Sequence, residues 1–208
     1  MRKQVLALAP EGGAAHFATN LYFDRVFGCE TAKILPGEYY VTTENLGIVT
    51  VLGSCVSACM RDTRLNIGGM NHFMLPAGGR DGDISSGSAR YGAFAMEVLL
   101  NHLLKLGAKR DNLECKVFGG ARVMDSLSSS QVGDLNARFV LEYLKLERIR
   151  VVAEDMLDIY ARKVYFFPLT GRVMVKKLIK LRNETLLQRE REYAATLQKG
   201  VAGEVELF

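Results

Sequence analysis

The chain is short of several things, and each shortage closes a class of function. No apolar run approaches the length of a membrane-spanning helix, so no membrane insertion is expected. The four cysteines, Cys29, Cys55, Cys59 and Cys115, form no Cys-x-x-Cys pair, which argues against a zinc knuckle. They are expected to be reduced thiols of a cytoplasmic chain. Histidine is scarce, with three in the whole sequence. No carboxylate cluster or ligand spacing suggests a metal, and neither a metal nor a cofactor is expected. Gly119-Gly120-Ala121 lacks the Lys-Ser/Thr that would make it a phosphate loop. The apolar patch ending at Ala9, behind Arg2 and Lys3, is too short for a convincing secretory leader. There is no internal repeat.

What remains is an ordinary globular composition. Of 208 residues, 49% are hydrophobic and 24% charged, which fits one medium domain with appendages. The net charge of +4 comes wholly from Lys176 to Lys199, where seven basic residues face three acidic ones. Such a helix can meet acidic partners, nucleic acid or a membrane surface. A solvated helix face is the expected reading, because Tyr193 is its lone aromatic, and no nucleic-acid partner is expected.

In chain order, residues 1–33 look like an N-terminal extension broken by Pro10, Gly12 and Gly13, with the folded domain starting near Ile34 and running to Lys177. Strand composition covers Glu38–Thr43, Ile48–Leu52, Val56–Arg61 and an extended run over Leu65–Leu75. Ala77–Ser88 reads as a loop. Ala89–Leu106 has helical spacing in Tyr91, Ala95, Val98, Leu99 and Leu103, stopped by Gly107. Leu113–Phe118 is a strand and Val123–Gln131 a serine-rich loop. Asn136–Arg148 is a second helix and Val151–Glu154 a strand. Lys163–Phe167 and Val173–Lys177 form a hairpin around Pro168-Leu169-Thr170-Gly171. Residues 178–208 are a basic helix, Thr185–Leu197, and a tail. Many strands and two core helices in mixed order predict an α/β fold: a mixed β-sheet sandwich with helices packed on it.

The chemistry gathers at Gly53-Ser54-Cys55. An apolar, β-branched run stops at the Gly-Ser break and resumes at Val56, so a thiol is held at a sharp turn between rigid elements. Free cysteines are mostly small buried hydrophobes, and Cys29, Cys59 and Cys115 fit that role. The turn sets Cys55 apart, because backbone N–H groups of Ser54 and Cys55 can hold an oxyanion there. Nearby N–H groups and an imidazole would also favour the thiolate. His72 is the best base, flanked by Gly68-Gly69 and Asn71 and closed by Pro76. A lone helix histidine such as His102 is set aside. Thr50 lies on the cysteine strand; most strand threonines simply pack, but its hydroxyl can orient an imidazole. Together these residues imply acyl transfer through a thioester.

The segments Val51-Leu52-Gly53-Ser54-Cys55-Val56, Gly68-Gly69-Met70-Asn71-His72-Phe73-Met74-Leu75-Pro76, Arg90-Tyr91-Gly92, Lys116-Val117-Phe118-Gly119-Gly120-Ala121 and Val151-Val152-Ala153-Glu154-Asp155 closely resemble the CheD family of chemoreceptor glutamine deamidases. The resemblance covers roughly Leu35 to Val175. It implies an α/β sandwich shared with bacterial toxin deamidases. It also implies hydrolysis of selected glutamine side chains on methyl-accepting chemotaxis receptors, tuning chemotaxis signalling. The family's nucleophile falls on Cys55, its histidine on His72 and its threonine on Thr50. Two other readings stay open: a binding partner of a CheC-type phosphatase acting by sequestration, and a receptor methylesterase. For the tail, docking to a receptor through the basic helix and Leu207-Phe208 stands beside an unused, frayed end.

Overall fold

Gly47-Ile48-Val49-Thr50-Val51-Leu52 is a strand because it has almost nothing to offer water. Five of its six positions are buried and its branched side chains suit a pleated surface. The computed structural model describes residues 16–75, 87–122, 127–179 and 184–201. In chain order the strands are β1 (His16–Phe17), β2 (Asn20–Asp24), β3 (Cys29–Lys33), β4 (Glu38–Thr42), β5 (Gly47–Leu52), β6 (Val56–Asp62) and β7 (Ile67–Asn71). Helix α1 (Gly87–Lys105), β8 (Leu113–Gly119), α2 (Leu127–Leu146), β9 (Arg150–Met156), β10 (Ala161–Phe167), β11 (Arg172–Leu178) and α3 (Glu184–Val201) follow.

The strands form two mixed sheets. One has the order β1-β4-β7-β6-β8-β9, the other β11-β10-β5-β3-β2. Two cores follow. Leu99 and Leu103 of α1 and Val140 and Leu144 of α2 pack on Val56, Ala58, Met60 and Val117 of the six-stranded sheet. Between the sheets, Ile48, Leu52, Val164 and Phe166 meet Cys55, Cys59, Met70 and Met74. The helical periodicity of α1 and the alternation of β6 thus serve the same layered plan, an α/β sandwich of mixed sheets with helices packed on it. Gly69 in β7 shows how tight the helix–sheet seam is. A Cβ there would stand 2.5 Å from the Tyr40 carbonyl oxygen and 2.8 Å from Leu99 Cδ1.

Several boundaries differ from those expected. The chain has no break at Ile34: β1 pairs with β4, and β3 pairs with β5. Short strands such as these carry little periodicity of their own and take their meaning from the partner strand. The second helix begins at Leu127, so much of the serine-rich stretch expected as a loop is helical. Serine weakens a helix only slightly, and tertiary packing overrides it. The extended run at Leu65–Leu75 narrows to β7. The hairpin around Pro168-Leu169-Thr170-Gly171 is β10–β11. The N-terminal patch, most of the Ala77–Ser88 loop and the end at Leu207-Phe208 lie outside the described residues.

Candidate active site

The chain passes from one sheet to the other at Gly53-Ser54-Cys55, between β5 and β6. Each carbonyl of this turn is tied from behind. Ala121 N–H donates to Gly53 O (2.8 Å), Asn136 Nδ2 to Ser54 O (2.8 Å) and Gly120 N–H to Cys55 O (2.8 Å). In a trans peptide the N–H points opposite its carbonyl, so fixing the Gly53 and Ser54 carbonyls aims the N–H groups of Ser54 and Cys55 the other way. The glycine pair Gly119-Gly120, at the end of β8, makes this possible. Gly119 has φ +113°, and a Cβ on it would lie 2.2 Å from Cys55 O. Asn136 also accepts Leu75 N–H at 2.8 Å, so one α2 side chain joins the cysteine turn to the segment after His72.

Val56 and Phe73 exchange both backbone hydrogen bonds, at 2.9 and 3.0 Å. This antiparallel bridge sets Cys55 opposite Met74 and leaves His72 as its diagonal neighbour on the same face, at a typical separation of roughly 7–8 Å between backbones. The His72 ring is buried. Its Nδ1 lies 2.8 Å from Thr50 Oγ1, and Thr50 Oγ1 donates to Ile34 O at 2.8 Å. A hydroxyl has one hydrogen, and Ile34 takes it. Thr50 therefore accepts from His72, which fixes the proton on Nδ1 and leaves the lone pair on Nε2. Among the described residues that buried Nε2 has no hydrogen-bond partner. Such an orphan is costly in a core and marks a group kept for something else.

The N–H groups of the turn are not empty-handed. Glu190, from the middle of α3, accepts Gly53 N–H at 3.0 Å, Ser54 N–H at 3.2 Å, Cys55 N–H at 3.3 Å and the Ser54 hydroxyl at 2.8 Å. Its carboxylate also lies near enough to the Cys55 thiol to disfavour the thiolate. Glu190 is 2% exposed although its neighbours Arg189 and Arg191 face solvent. Leu186 and Leu197 are buried on the same face, each contributing about 1.5–3 kcal/mol to seating the helix. Tyr193 hydrogen-bonds to Tyr91 of α1, and both hydroxyls lie within electrostatic reach of Cys55. The basic helix expected as a solvated face is thus solvated on one side alone. Its other side closes the cysteine turn.

These contacts set the protonation states. Burial first, then the charge of Glu190, push the Cys55 thiol well up. Burial holds the His72 imidazole down at about 3. At neutral pH the pair is neutral thiol and neutral imidazole, the reverse of the thiolate expected from nearby N–H groups and an imidazole.

Of the residues singled out in the sequence, Thr50 and His72 are in contact, and Cys55 is the diagonal neighbour of His72 on the same sheet face. Cys59 and Cys115 are fully buried, and Cys29 is partly buried on the outer part of the other sheet. His102 packs against Phe17 and Tyr39 and stays away from the site. Sequence reasoning missed Glu190, Asn136 and Tyr91. A signal for the first was present: Leu186, Glu190, Tyr193, Ala194 and Leu197 share one helix face, and an acid inside an apolar stripe asks for a partner. Among the described residues no group of His, Cys, Asp or Glu is arranged to hold a metal, and no helix is long and apolar enough to cross a membrane.

Comparison with known proteins gives the family. A family model described as CheD chemotactic sensory transduction matches residues 74–177. The chain is 61% identical over 195 residues to a probable chemoreceptor glutamine deamidase CheD of Janthinobacterium sp. (strain Marseille), covering 93% of this chain and 96% of that one. It is 63% identical to the protein of the same name from Thiobacillus denitrificans, covering 92% and 96%. It is 54% identical to a probable chemoreceptor glutamine deamidase CheD 1 of Shewanella oneidensis, covering 91% and 93%. With relatives 54–63% identical over more than nine tenths of its length, the chain belongs to the CheD family.

Proposed function

We propose that this chain hydrolyses the side-chain amide of selected glutamines on methyl-accepting chemotaxis receptors, through a thioester on Cys55. The observation that carries the reading is the buried Thr50–His72 pair, which presents a free Nε2 lone pair on the face shared with Cys55. His72 takes the thiol proton, and the thiolate attacks the glutamine Cδ. The N–H groups of Ser54 and Cys55, joined by Gly53, hold the oxyanion. His72 returns the proton to the leaving nitrogen and ammonia departs. Water, deprotonated by His72, then cleaves the thioester to glutamate and free thiol. Thr50 touches no reacting atom in this scheme; it positions the imidazole. Each event turns a neutral receptor side chain into a charged one, which alters helix-surface pairing and so tunes signalling.

The test is intact-mass analysis of receptors co-expressed with the protein. Each hydrolysed amide adds about one mass unit, and the thioester route requires that the gain vanish with a folded Cys55→Ala protein. Undiminished mass gain with that variant overturns the scheme. A methyl-ester substrate would instead lower receptor mass, so the same measurement separates the two hydrolyses.

A further inference from the structure

The N–H groups aimed by the Gly53-Ser54-Cys55 turn already hold a side chain, and it is the one the proposed reaction produces. Glu190 puts a carboxylate of glutamate length against three backbone N–H groups, the Ser54 hydroxyl and the Cys55 thiol. Gly53 is shaped for this guest: a Cβ there would stand 2.8 Å from Glu190 Oε1 and 2.9 Å from Oε2. A carboxamide can use part of the same set: its oxygen takes the Gly53 and Cys55 N–H groups that Oε1 takes, and the Ser54 hydroxyl, which accepts as well as donates, turns to receive its NH2. The helix that carries Glu190 is not a loose appendage. Leu186 lies one turn before Glu190, Tyr193 and Ala194 one turn after, and Leu197 two turns after, all on the packed face. The basic side chains Arg189 and Arg191 are exposed. Cys55 itself is 0% exposed, so no substrate reaches it while α3 stays.

We propose that the cradle of Gly53, Ser54 and Cys55 is the seat of the substrate glutamine side chain, and that α3 is a tethered product mimic which fills this seat through Glu190 and keeps the enzyme self-inhibited. The first half rests on the glutamine-hydrolysis reading above; the occupancy of the seat does not. A substrate segment must displace α3, and it competes best when it is itself a helix with a glutamine flanked by apolar residues one turn before and one and two turns after. Leu186, Tyr193 and Leu197 are the contacts it has to replace. The effective concentration of a tethered helix is high, so its removal accelerates turnover without any change at Cys55 or His72.

One substitution tests the seat. Glu190→Gln is isosteric and keeps an acceptor oxygen, and it turns the mimic into a substrate. The Cys55 sulfur bonds to Cδ, the C–N bond breaks, and ammonia leaves with the thiol proton and the nitrogen's own hydrogens. Water then splits the thioester, so amide plus water gives carboxylate plus ammonia, and no electrons change hands. Peptide mass mapping of the full-length variant is expected to find glutamate regenerated at position 190, at a rate independent of protein concentration. The introduced amide should persist when Cys55→Ala is added. Gln188, exposed on the far side of the same helix, is the internal control and stays an amide.

A second measurement does not depend on catalysis. Leu186→Ser with Leu197→Ser loosens α3 and leaves the seat untouched. Mass-mapped iodoacetamide labelling of Cys55 is expected to rise at least tenfold, and receptor deamidation several-fold. If the Glu190→Gln protein deamidates receptor while its own introduced amide survives, the seat assignment is overturned and the glutamine-hydrolase reading stands. If neither amide is hydrolysed, the hydrolase reading falls. Self-occlusion is then judged by labelling, and unchanged Cys55 labelling in the loosened variant overturns it.

Discussion

The Thr50 hydroxyl gives its hydrogen to Ile34 and therefore receives the Nδ1 hydrogen of His72. That one hydroxyl decides which nitrogen of the imidazole is basic. Thr50→Val keeps the shape of the side chain and removes the acceptor. The buried Nδ1–H then loses its partner, at a cost of about 1–3 kcal/mol in stability, and the tautomer is no longer fixed. We expect kcat to fall about 10–100-fold with little change in KM. Thr50→Ser should restore most of it. A merely structural threonine would lower the melting temperature and leave kcat of the folded protein unmoved, so the pair of measurements separates the roles.

The depressed basicity of His72 makes a pH prediction with a definite sign. In the fold the imidazole protonates at about 3; unfolded, it does so near 6.5. Between those values the unfolded chain binds a proton that the folded chain refuses, so stability falls as pH drops from about 6.5 toward 3. The loss reaches about 2 kcal/mol near pH 5, at about 1.4 kcal/mol per pH unit. His72→Gln removes the titrating group. Urea unfolding of both proteins at pH 7 and pH 5 should show a shallower acid loss in the variant. Equal acid losses would mean that His72 does not titrate across this window.

The four thiols should separate by burial. Cys29 is partly buried, whereas Cys55, Cys59 and Cys115 are fully buried and the Cys55 and Cys59 thiols are pushed up by desolvation. In native protein at neutral pH, iodoacetamide should label Cys29 first. Cys59→Ala removes a filler between the sheets and should keep receptor deamidation, at a cost of about 1 kcal/mol in unfolding free energy. Loss of activity in a folded Cys59→Ala protein would move the nucleophile away from Cys55.

How much of this was readable depends on how local the signal is. β5, the Gly-Ser break and β6 are written in consecutive residues, so the cysteine turn stands out in the bare sequence. The Thr50–His72 contact joins two sheets across 22 positions, and only the packing of one sheet on the other reveals it. Residue types allowed the pair to be suspected, since a hydroxyl and an imidazole suit each other; they could not supply the distance. Glu190 is further out of reach, 135 positions from Cys55 in a helix whose charges invite a solvent-facing reading. Asn136 has no local mark at all, because an asparagine in a helix reads as a weak helix former. The N-terminal strands escaped for a related reason: two to five residues hold too little periodicity to be distinguished from a linker.

Asn136 ties the cysteine turn to the segment after His72. The buried side chain's nitrogen donates to Ser54 O and its oxygen accepts Leu75 N–H, both at 2.8 Å. One amide therefore fixes the peptide whose N–H belongs to Cys55 and also anchors the chain just beyond His72. Asn136→Asp keeps the size and the acceptor for Leu75 but cannot donate to Ser54 O when ionised, and it buries a charge. Asn136→Ala loses both bonds and leaves Ser54 O and Leu75 N–H unpaired. We expect Asn136→Ala to destabilise by about 2–4 kcal/mol. At a temperature where it remains folded, kcat should fall about 10–1000-fold, because an oxyanion donor that swings free stops being preorganised. The charge on Asn136→Asp adds a pH signature: its activity should recover as pH is lowered and the carboxyl gains the hydrogen needed to donate. A kcat for Asn136→Ala equal to that of the parent protein would show that the Cys55 N–H needs no support from α2.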